Sequence, residues 1–314
     1  MSPEQYKSLV SRIPLEAFNK GNLAVIDEVL APNFVDHVSM PGLGTDREAI
    51  KLLVSTMRNA FPDFSYNVEY SVAEGSKVAH YVKATGTHKG EFFGIAPSGK
   101  KLTWTEMHWC RFDGDKCVEH WGNVDRFSFL QQLGLIPALG QSSGRTSVAY
   151  GGTYSGMPGT SQSFTPTGYF KAGYDYKTVV RRWFEEGFNR GNLSLADQLF
   201  TSDYRSYDPT YPAGLSGPEG IKQYTSLLRK AFPDCTLAIE DQICEGDKVV
   251  TRWSARGTHK GDFFGFAPTG RMGMVTGIAI DRCADGKIAE TWEVWDLVGL
   301  LEQLGVVPMI GQSK

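Results

Sequence analysis

Glu106 and His108 alternate with Thr105 and Met107 along a β-like stretch at 101–112, so a strand there puts both on one face with Leu102, Trp104 and Cys110. On the next stretch, 116–125, Glu119, Trp121, Asn123 and Asp125 share a face. Turning both acid-rich faces inward gathers Glu106, His108 and Asp125 about one cavity, walled by Trp104 and Trp121. Such a cavity offers proton transfer and electrostatics. Opening an epoxide needs an acid on the ring oxygen and a base on the attacking water or hydroxyl. Closing a ring by aldol addition needs a base at an acidic carbon and an acid at the carbonyl. Both call for two titratable groups whose surroundings push their pKa values apart. Tryptophan walls help by desolvating a carboxyl and raising it towards neutrality. A bulge in either strand would exchange the faces.

A duplicated plan positions these residues. The segment 86–99, Gly-Thr-His-Lys-Gly-Glu-Phe-Phe-Gly-Ile-Ala-Pro-Ser-Gly, recurs at 257–270 with eleven of its fourteen positions identical. Ala60-Phe61-Pro62-Asp63 recurs as Ala231-Phe232-Pro233-Asp234, and Phe18-Asn19-Lys20-Gly21-Asn22 as Phe188-Asn189-Arg190-Gly191-Asn192. Two copies about 171 residues apart mean paired domains, not a solenoid. The expected division is a first domain at 1–139, a Gly/Ser/Thr-rich linker at 140–172 and a second domain at 173–314. The copies differ where it matters. Trp104, Glu106 and His108 become Val275, Gly277 and Ala279, which hollows the second cavity and gives it a different job.

In the first copy, Leu9, Ile13 and Ala17 keep helical spacing over 3–20, with Ser2, Pro3 and Gln5 forming a helix start and Gly21 a stop. A short helix follows at 22–30. Thr45 and Glu48 form a capping box for another, as do Ser216 and Glu219 in the second copy. Strands are expected at 64–74, 77–88, 101–112 and 116–125, with turns at Glu74-Gly75-Ser76 and Asp113-Gly114-Asp115, and a last helix at 126–133. Helices, then an antiparallel meander, then a closing helix make an α+β domain. Its curled sheet, covered by helices, encloses a conical apolar cavity. The other sheet face (Met107 and Trp109; Ile278 and Ile280) would suit docking of the halves as an internal pseudo-dimer.

The bulk properties narrow the classes. The 314 residues are 41% hydrophobic and 21% charged, as in a globular protein, with a net charge of −3. Without a Lys/Arg cluster a nucleic-acid partner is not expected. No apolar run reaches the ~20 residues of a membrane span, and the first residues lack the pattern of a signal peptide. Five cysteines without metal or C-x-x-C spacing read as reduced thiols in a cytoplasmic setting. No metal constellation or cofactor fingerprint is present, so no cofactor is expected.

The string Thr-His-x-Gly-x-Phe-Phe-Gly-x-Ala-Pro-[Ser/Thr]-Gly-[Lys/Arg], followed by 119–125, Glu-His-Trp-Gly-Asn-Val-Asp, resembles the SnoaL-like polyketide cyclases of the NTF2-like cone folds. The tandem arrangement resembles the fused epoxide hydrolases of polyether-type polyketide pathways. That resemblance implies two cone-shaped α+β barrel domains and cofactor-free acid–base chemistry on a small apolar polyketide: epoxide opening, with or without cyclic-ether formation. The other readings are an aldol-type cyclase or isomerase and a non-catalytic binder of apolar ligands. It also implies that Asp125 and Asp296, in Trp-x-x-x-Asp, are the general acid/base, although each also stands where a helix N-cap belongs. Asp36 and Asp208 fall in a stretch where the tandem hydrolases carry a catalytic Asp; their plainer role is turn chemistry. Glu106 and His108 complete the expected catalytic set, with Trp104, Trp121, Trp292, His37 and Tyr207 contacting substrate. His120, on the face away from Asp125, reads as structural, and His88 and His259 as parts of a loop-shaping motif.

Overall fold

The computed structural model describes residues 1–38, 42–136, 174–211 and 214–308, and the connector expected at 140–172 lies outside the described residues. The chain divides into two compact units, built largely on Met1–Leu135 and on Ile136–Glu293 with Leu297–Val307. In the first, α1 (Pro3–Arg12) opens with the expected capping box between Ser2 and Gln5. Pro14 has no N–H to continue the ladder, and the helix widens into a π turn over Ile13–Phe18. Beyond it, Asn19 brackets Tyr66, accepting its N–H at 2.7 Å and donating to its carbonyl at 3.0 Å. The repeated Phe-Asn-x-Gly-Asn motif is thus a clamp on a strand edge. Asn189 holds Leu237 in the same way.

Next come α2 (Ala24–Val29), β1 (Leu30–Asp36) and α3 (Arg47–Ala60). Asp46, not Thr45, caps α3 by accepting the Ala49 N–H. The meander follows as β2 (Ser65–Glu74), β3 (Lys77–Thr87), β4 (Lys101–Asp113) and β5 (Lys116–Val124), closed by α4 (Arg126–Leu133). The sheet order is β1-β5-β4-β3-β2, and β1 runs parallel to β5. The sheet is therefore mixed, not antiparallel as expected. No hairpin links β1 to β5, so nothing forces them into opposite directions.

The β4–β5 hairpin holds the decisive irregularity. Asp113 pairs with Lys116 and Phe112 with Cys117, but Arg111 then pairs with Glu119. Val118 is an extra residue, a bulge, and every later pair shifts by one. Cys110 therefore faces His120, His108 faces Gly122 and Glu106 faces Val124, while Trp109 pairs with Trp121. Helices cover the Glu106 face: Tyr6 of α1 lies 4.6 Å from Phe112, Phe18 5.2 Å from Tyr66, and Phe129 of α4 5.1 Å from Trp104, ring centre to ring centre.

The second unit repeats the order with α5 (Tyr176–Arg182), a π turn at Trp183–Asn189, α6 (Ala196–Leu199), β6 (Phe200–Tyr207), α7 (Gly217–Ala231), β7 (Thr236–Glu245), β8 (Lys248–Thr258), β9 (Met272–Ala284), β10 (Lys287–Trp295) and α8 (Leu297–Leu304). Its sheet order is β6-β10-β9-β8-β7, again with the first strand parallel to the last. Ser216 stands at the N-cap of α7 without a side-chain hydrogen bond, so the second capping box does not form.

The longest repeated string is structural. Asp63 accepts the Thr87 N–H and hydroxyl at 2.6 and 2.7 Å, and Asp234 does the same for Thr258. His88 and His259 are fully buried and stack on Phe61 and Phe232. The N–H groups of Lys89 and Gly90 both donate to Ala60 O, pinning the loop to the end of α3. A Cβ at Gly90 would stand 2.4 Å from the Asn59 carbonyl oxygen. Gly90→Ala is therefore expected to cost about 1–3 kcal/mol through forced backbone movement, read as a lower urea midpoint with an unchanged m-value.

Candidate active site

Tyr66, Glu106, His108, His120 and Asp36, on the helix-covered face of the first unit, form one hydrogen-bonded line, which Trp104 joins at Glu106. Glu106 accepts the Trp104 indole N–H at 2.6 Å and the Tyr66 hydroxyl at 2.9 Å. His108 Nε2 lies 3.2 Å from the other Glu106 oxygen, and His108 Nδ1 lies 3.0 Å from His120 Nε2. His120 Nδ1 in turn lies 2.8 Å from Asp36 Oδ1, which also accepts the Val38 N–H at 2.9 Å. The carboxylates at both ends are buried, whereas the two imidazoles between them are only half-buried. A guest would meet imidazole first.

Counting hydrogens shows what the line can hold. Each carboxylate needs an N–H from its histidine, and the facing nitrogens need a third between them. Two neutral rings supply two, so between ionised carboxylates one contact of the line lacks a hydrogen and a ring nitrogen is left to accept a proton. Taking up that proton completes the set, and the flanking carboxylates balance its charge. Such a line can accept a proton at one end and release one at the other without separating charge far. Burial alone would raise the Asp36 carboxyl; the charge and hydrogen bond of His120, with Val38 N–H and His108, outweigh it and hold Asp36 below its ordinary value.

Opposite His108, on β3, His80 is almost fully buried. Its Nδ1 meets Ser71 Oγ at 2.5 Å and its Nε2 has no hydrogen-bond partner. Burial first, then the positive character of His108, Lys7 and His120, pushes its pKa down to about 3. His80 is a neutral imidazole held beside the His108–His120 pair.

The other expected residues are placed as follows. Trp104 stands on the same face, with its indole N–H on Glu106. Trp121 is not on that face: the bulge at Val118 turns it away, paired with Trp109, and His37 stacks on it at 4.5 Å. Tyr207 stacks on Trp292 at 5.2 Å in the second unit. His37 and Tyr207 also approach Glu119 and Glu290, each of which pairs with an arginine, Arg111 or Arg282. These are matching stacks on the outer faces of β5 and β10. His120, expected to be structural, is the centre of the line. Asp125 is buried and accepts the Ser128 N–H at 2.9 Å as the N-cap of α4, while its own N–H donates to Thr105 O. Asp296 precedes α8 and is half-buried.

In the second unit, Ser206 and not Asp208 takes the place of Asp36, since Ser206 pairs with Thr291 as Asp36 pairs with His120. Asp208 lies two residues on, buried, and accepts the Thr210 N–H and hydroxyl at 2.8 and 2.7 Å, with Tyr224 at 3.5 Å. Two carboxyls outside the expected set join it. Asp281 accepts the Thr291 hydroxyl at 2.6 Å, and burial, opposed by that bond, pushes it up to about 7. Burial and then the charges of Asp208 and Asp281 raise Glu293 well above the carboxyl range, against the influence of Trp253. Both have a sequence signal: one repeat earlier stand Cys110 and Gly122, which cannot ionise as acids in this range. Tyr66 has none, because only the Asn19 clamp and the strand register bring it to Glu106.

Among the described residues, no group of three or more His, Cys, Asp or Glu is arranged to hold a metal ion, and no helix is long and apolar enough to cross a membrane.

The state of His80 has a measurable consequence. The folded chain keeps it neutral down to about pH 3, whereas an unfolded chain protonates it near 6.5. Between these values the unfolded state binds more protons, so this residue makes stability fall as pH falls from about 6.5 to 3. The urea midpoint of His80→Gln is expected to drop less than that of the parent chain between pH 6.5 and 4; equal drops would contradict a neutral buried His80.

Comparison with known proteins agrees with this architecture. The family model for SnoaL-like polyketide cyclases matches residues 8–133 and again 178–304. A nogalonic acid methyl ester cyclase from Streptomyces nogalater is 27% identical over 122 residues, covering 38% of this chain and 91% of that protein. Among solved structures, IdmH from Streptomyces antibioticus is 33% identical over 42% of this chain and 99% of its own, with a TM-score of 0.38. TsrD from Streptomyces laurentii is 29% identical over 42% of this chain and 95% of its own, with a TM-score of 0.39. Matched along both halves, the chain belongs to the SnoaL-like polyketide cyclase family.

Proposed function

We propose that the first unit is a cofactor-free acid–base catalyst that closes a ring on a small apolar polyketide by intramolecular aldol addition. The observation that carries this reading is the Glu106–His108–His120–Asp36 line, with its half-buried imidazoles and buried carboxylates. In the step proposed, the imidazole pair takes a proton from the carbon next to a carbonyl, the enolate carbon attacks a second carbonyl, and the new alkoxide takes a proton back. One C–C bond forms and the formula does not change. Glu106 and Asp36 hold the imidazoles in place and balance the positive charge that builds between them. Asp125, in the Trp-x-x-x-Asp sequence shared with the family, is proposed as a further proton donor or acceptor. Its cap to Ser128 fixes one oxygen.

Epoxide opening is the second reading, favoured by the two unlike sets of acids in one chain, which suit successive steps. There a protonated group would serve the ring oxygen while a base takes the proton of water or of an internal hydroxyl. Asp208 and Asp296 would act in the second unit. A non-catalytic binder would return its ligand unchanged.

The test is turnover of a polyketide ester, with nogalonic acid methyl ester as first probe. Glu106→Gln and His108→Gln are each expected to lower kcat by about 10²- to 10⁴-fold, and the double variant by little more than the worse single one, since the groups act as a unit. In ¹⁸O-labelled water, aldol closure leaves the new hydroxyl unlabelled, whereas hydrolysis of an epoxide probe labels it. Full activity in both single variants would sink the assignment of the line.

A further inference from the structure

The halves differ by a reciprocal exchange. Each polar group of the first unit's line has a small or non-ionising counterpart one repeat later: Glu106 becomes Gly277, His108 Ala279, His120 Thr291, His80 Thr251 and Asp36 Ser206. Conversely, Asp208, Asp281 and Glu293 stand where the first unit has Val38, Cys110 and Gly122. The sterics explain why the sets exclude each other. A Cβ at Gly122 would lie 3.1 Å from His108 Nδ1 and 3.2 Å from His120 Cε1, so a side chain there would press on the imidazole pair. With Ala279 and Thr291 in place of those rings, the side chain of Glu293 has room. At Gly277 a Cβ would lie 2.2 Å from the Trp253 ring, so the indole fills the place of Glu106.

Thr251 and Trp253 pair with Ala279 and Gly277, and Thr291 bonds Asp281, so these groups share one face. Glu293, two residues beyond Thr291 on β10, lies on it too. Glu293 lies deep in the unit yet keeps some accessible surface. A second observation concerns its neighbour. Trp253 is 6% exposed, and its indole N–H, turned towards Glu293, makes no hydrogen bond of normal geometry. A buried N–H left in that state gains from a ligand atom that accepts it.

We propose that the second unit carries its own ligand site, in which the Glu293 carboxylic acid and the Trp253 indole N–H both donate to a neutral carbonyl or ether oxygen of an apolar guest. Three acids crowded on one face cannot all ionise, and the most enclosed stays protonated and becomes a donor. The groups facing it are Asp208 beyond β6, Asp281 on β9, Tyr204 on β6 and Tyr224 on α7; each is neutral or negative and none favours loss of its proton. The site does not depend on the chemistry proposed for the first unit. Its guest is neutral, where the first unit's imidazole pair suits a guest that becomes an anion.

The experiment is calorimetric titration of the full chain with 1-tetralone, a neutral aryl ketone, and with benzyltrimethylammonium as a cationic control. Glu293→Gln keeps a donor and nearly the same shape, and is expected to retain tetralone binding at pH 6. Glu293→Leu removes the donor and should weaken binding by about tenfold at pH 6. Trp253→Phe should also weaken it, and its indole fluorescence should no longer respond. The proposal is overturned if tetralone does not bind, or if its affinity is unchanged in Glu293→Leu and falls only in His108→Gln. Tight, Glu293-dependent binding of the cation in place of the ketone would overturn it as well, by showing an ionised acid cage.

Discussion

A single inserted residue sets the inner face of β5. Without Val118 in the bulge, the hairpin register would carry on from the Phe112–Cys117 pair and turn Glu119 and Trp121 under the helices. With it, His120 comes inward, directly beside Cys110 and within hydrogen-bonding distance of both His108 and Asp36. The parallel pairing of β1 with β5 depends on the same register, because Asp36 stands opposite His120. The line of acid and imidazole groups is therefore a property of strand alignment. Its members come from β1, β2, β4 and β5, and no local motif contains more than two of them.

Burying such a line is expensive unless every member is satisfied, and the chain meets that condition with groups that do nothing else nearby. Glu106 receives two donors besides its histidine; Asp36 receives a backbone N–H. The cost of enclosing these carboxylates is offset by bonds fixed through the scaffold. Tyr66, for example, is held by the Asn19 clamp, and Asn19 itself by the π turn that precedes it. This explains why a helix defect and an asparagine motif are repeated in both halves even though the acids are not. The scaffold that aims the second residue of β2 is common property, and the chemistry placed upon it is not.

Much of the fold was legible in the sequence. The meander strands and α4 begin and end within a residue or so of the turn and cap signals, because Gly75, Gly114 and Gly134 take positive φ where the chain must reverse or stop. Three features were not. The parallel place of β1 joins segments more than eighty residues apart, for which periodicity carries no information. The helix caps at Asp46 and Ser216 depended on rotamers, not on residue type alone. The face of β5 was reversed, since alternation gives two faces but not which one is inside, and a bulge of one residue exchanges them. Hence alternation reaches Glu106 and His108, whereas the inward turn of His120 and the approach of Tyr66 depend on register.

The second unit shows how a duplicated scaffold can change its chemistry without changing its backbone. In the first unit Gly122 lies against both imidazoles, where a Cβ would press on them; in the second, the small Ala279 and Thr291 take the places of those rings and Glu293 that of the glycine. The two arrangements are thus separate solutions, with several residues changed together. Such a coordinated exchange is hard to reconcile with simple decay of one copy, which would remove the polar groups without installing others. The two units thus hold unlike acid-bearing interiors, an imidazole pair between two carboxylates in one and Asp208, Asp281 and Glu293 in the other.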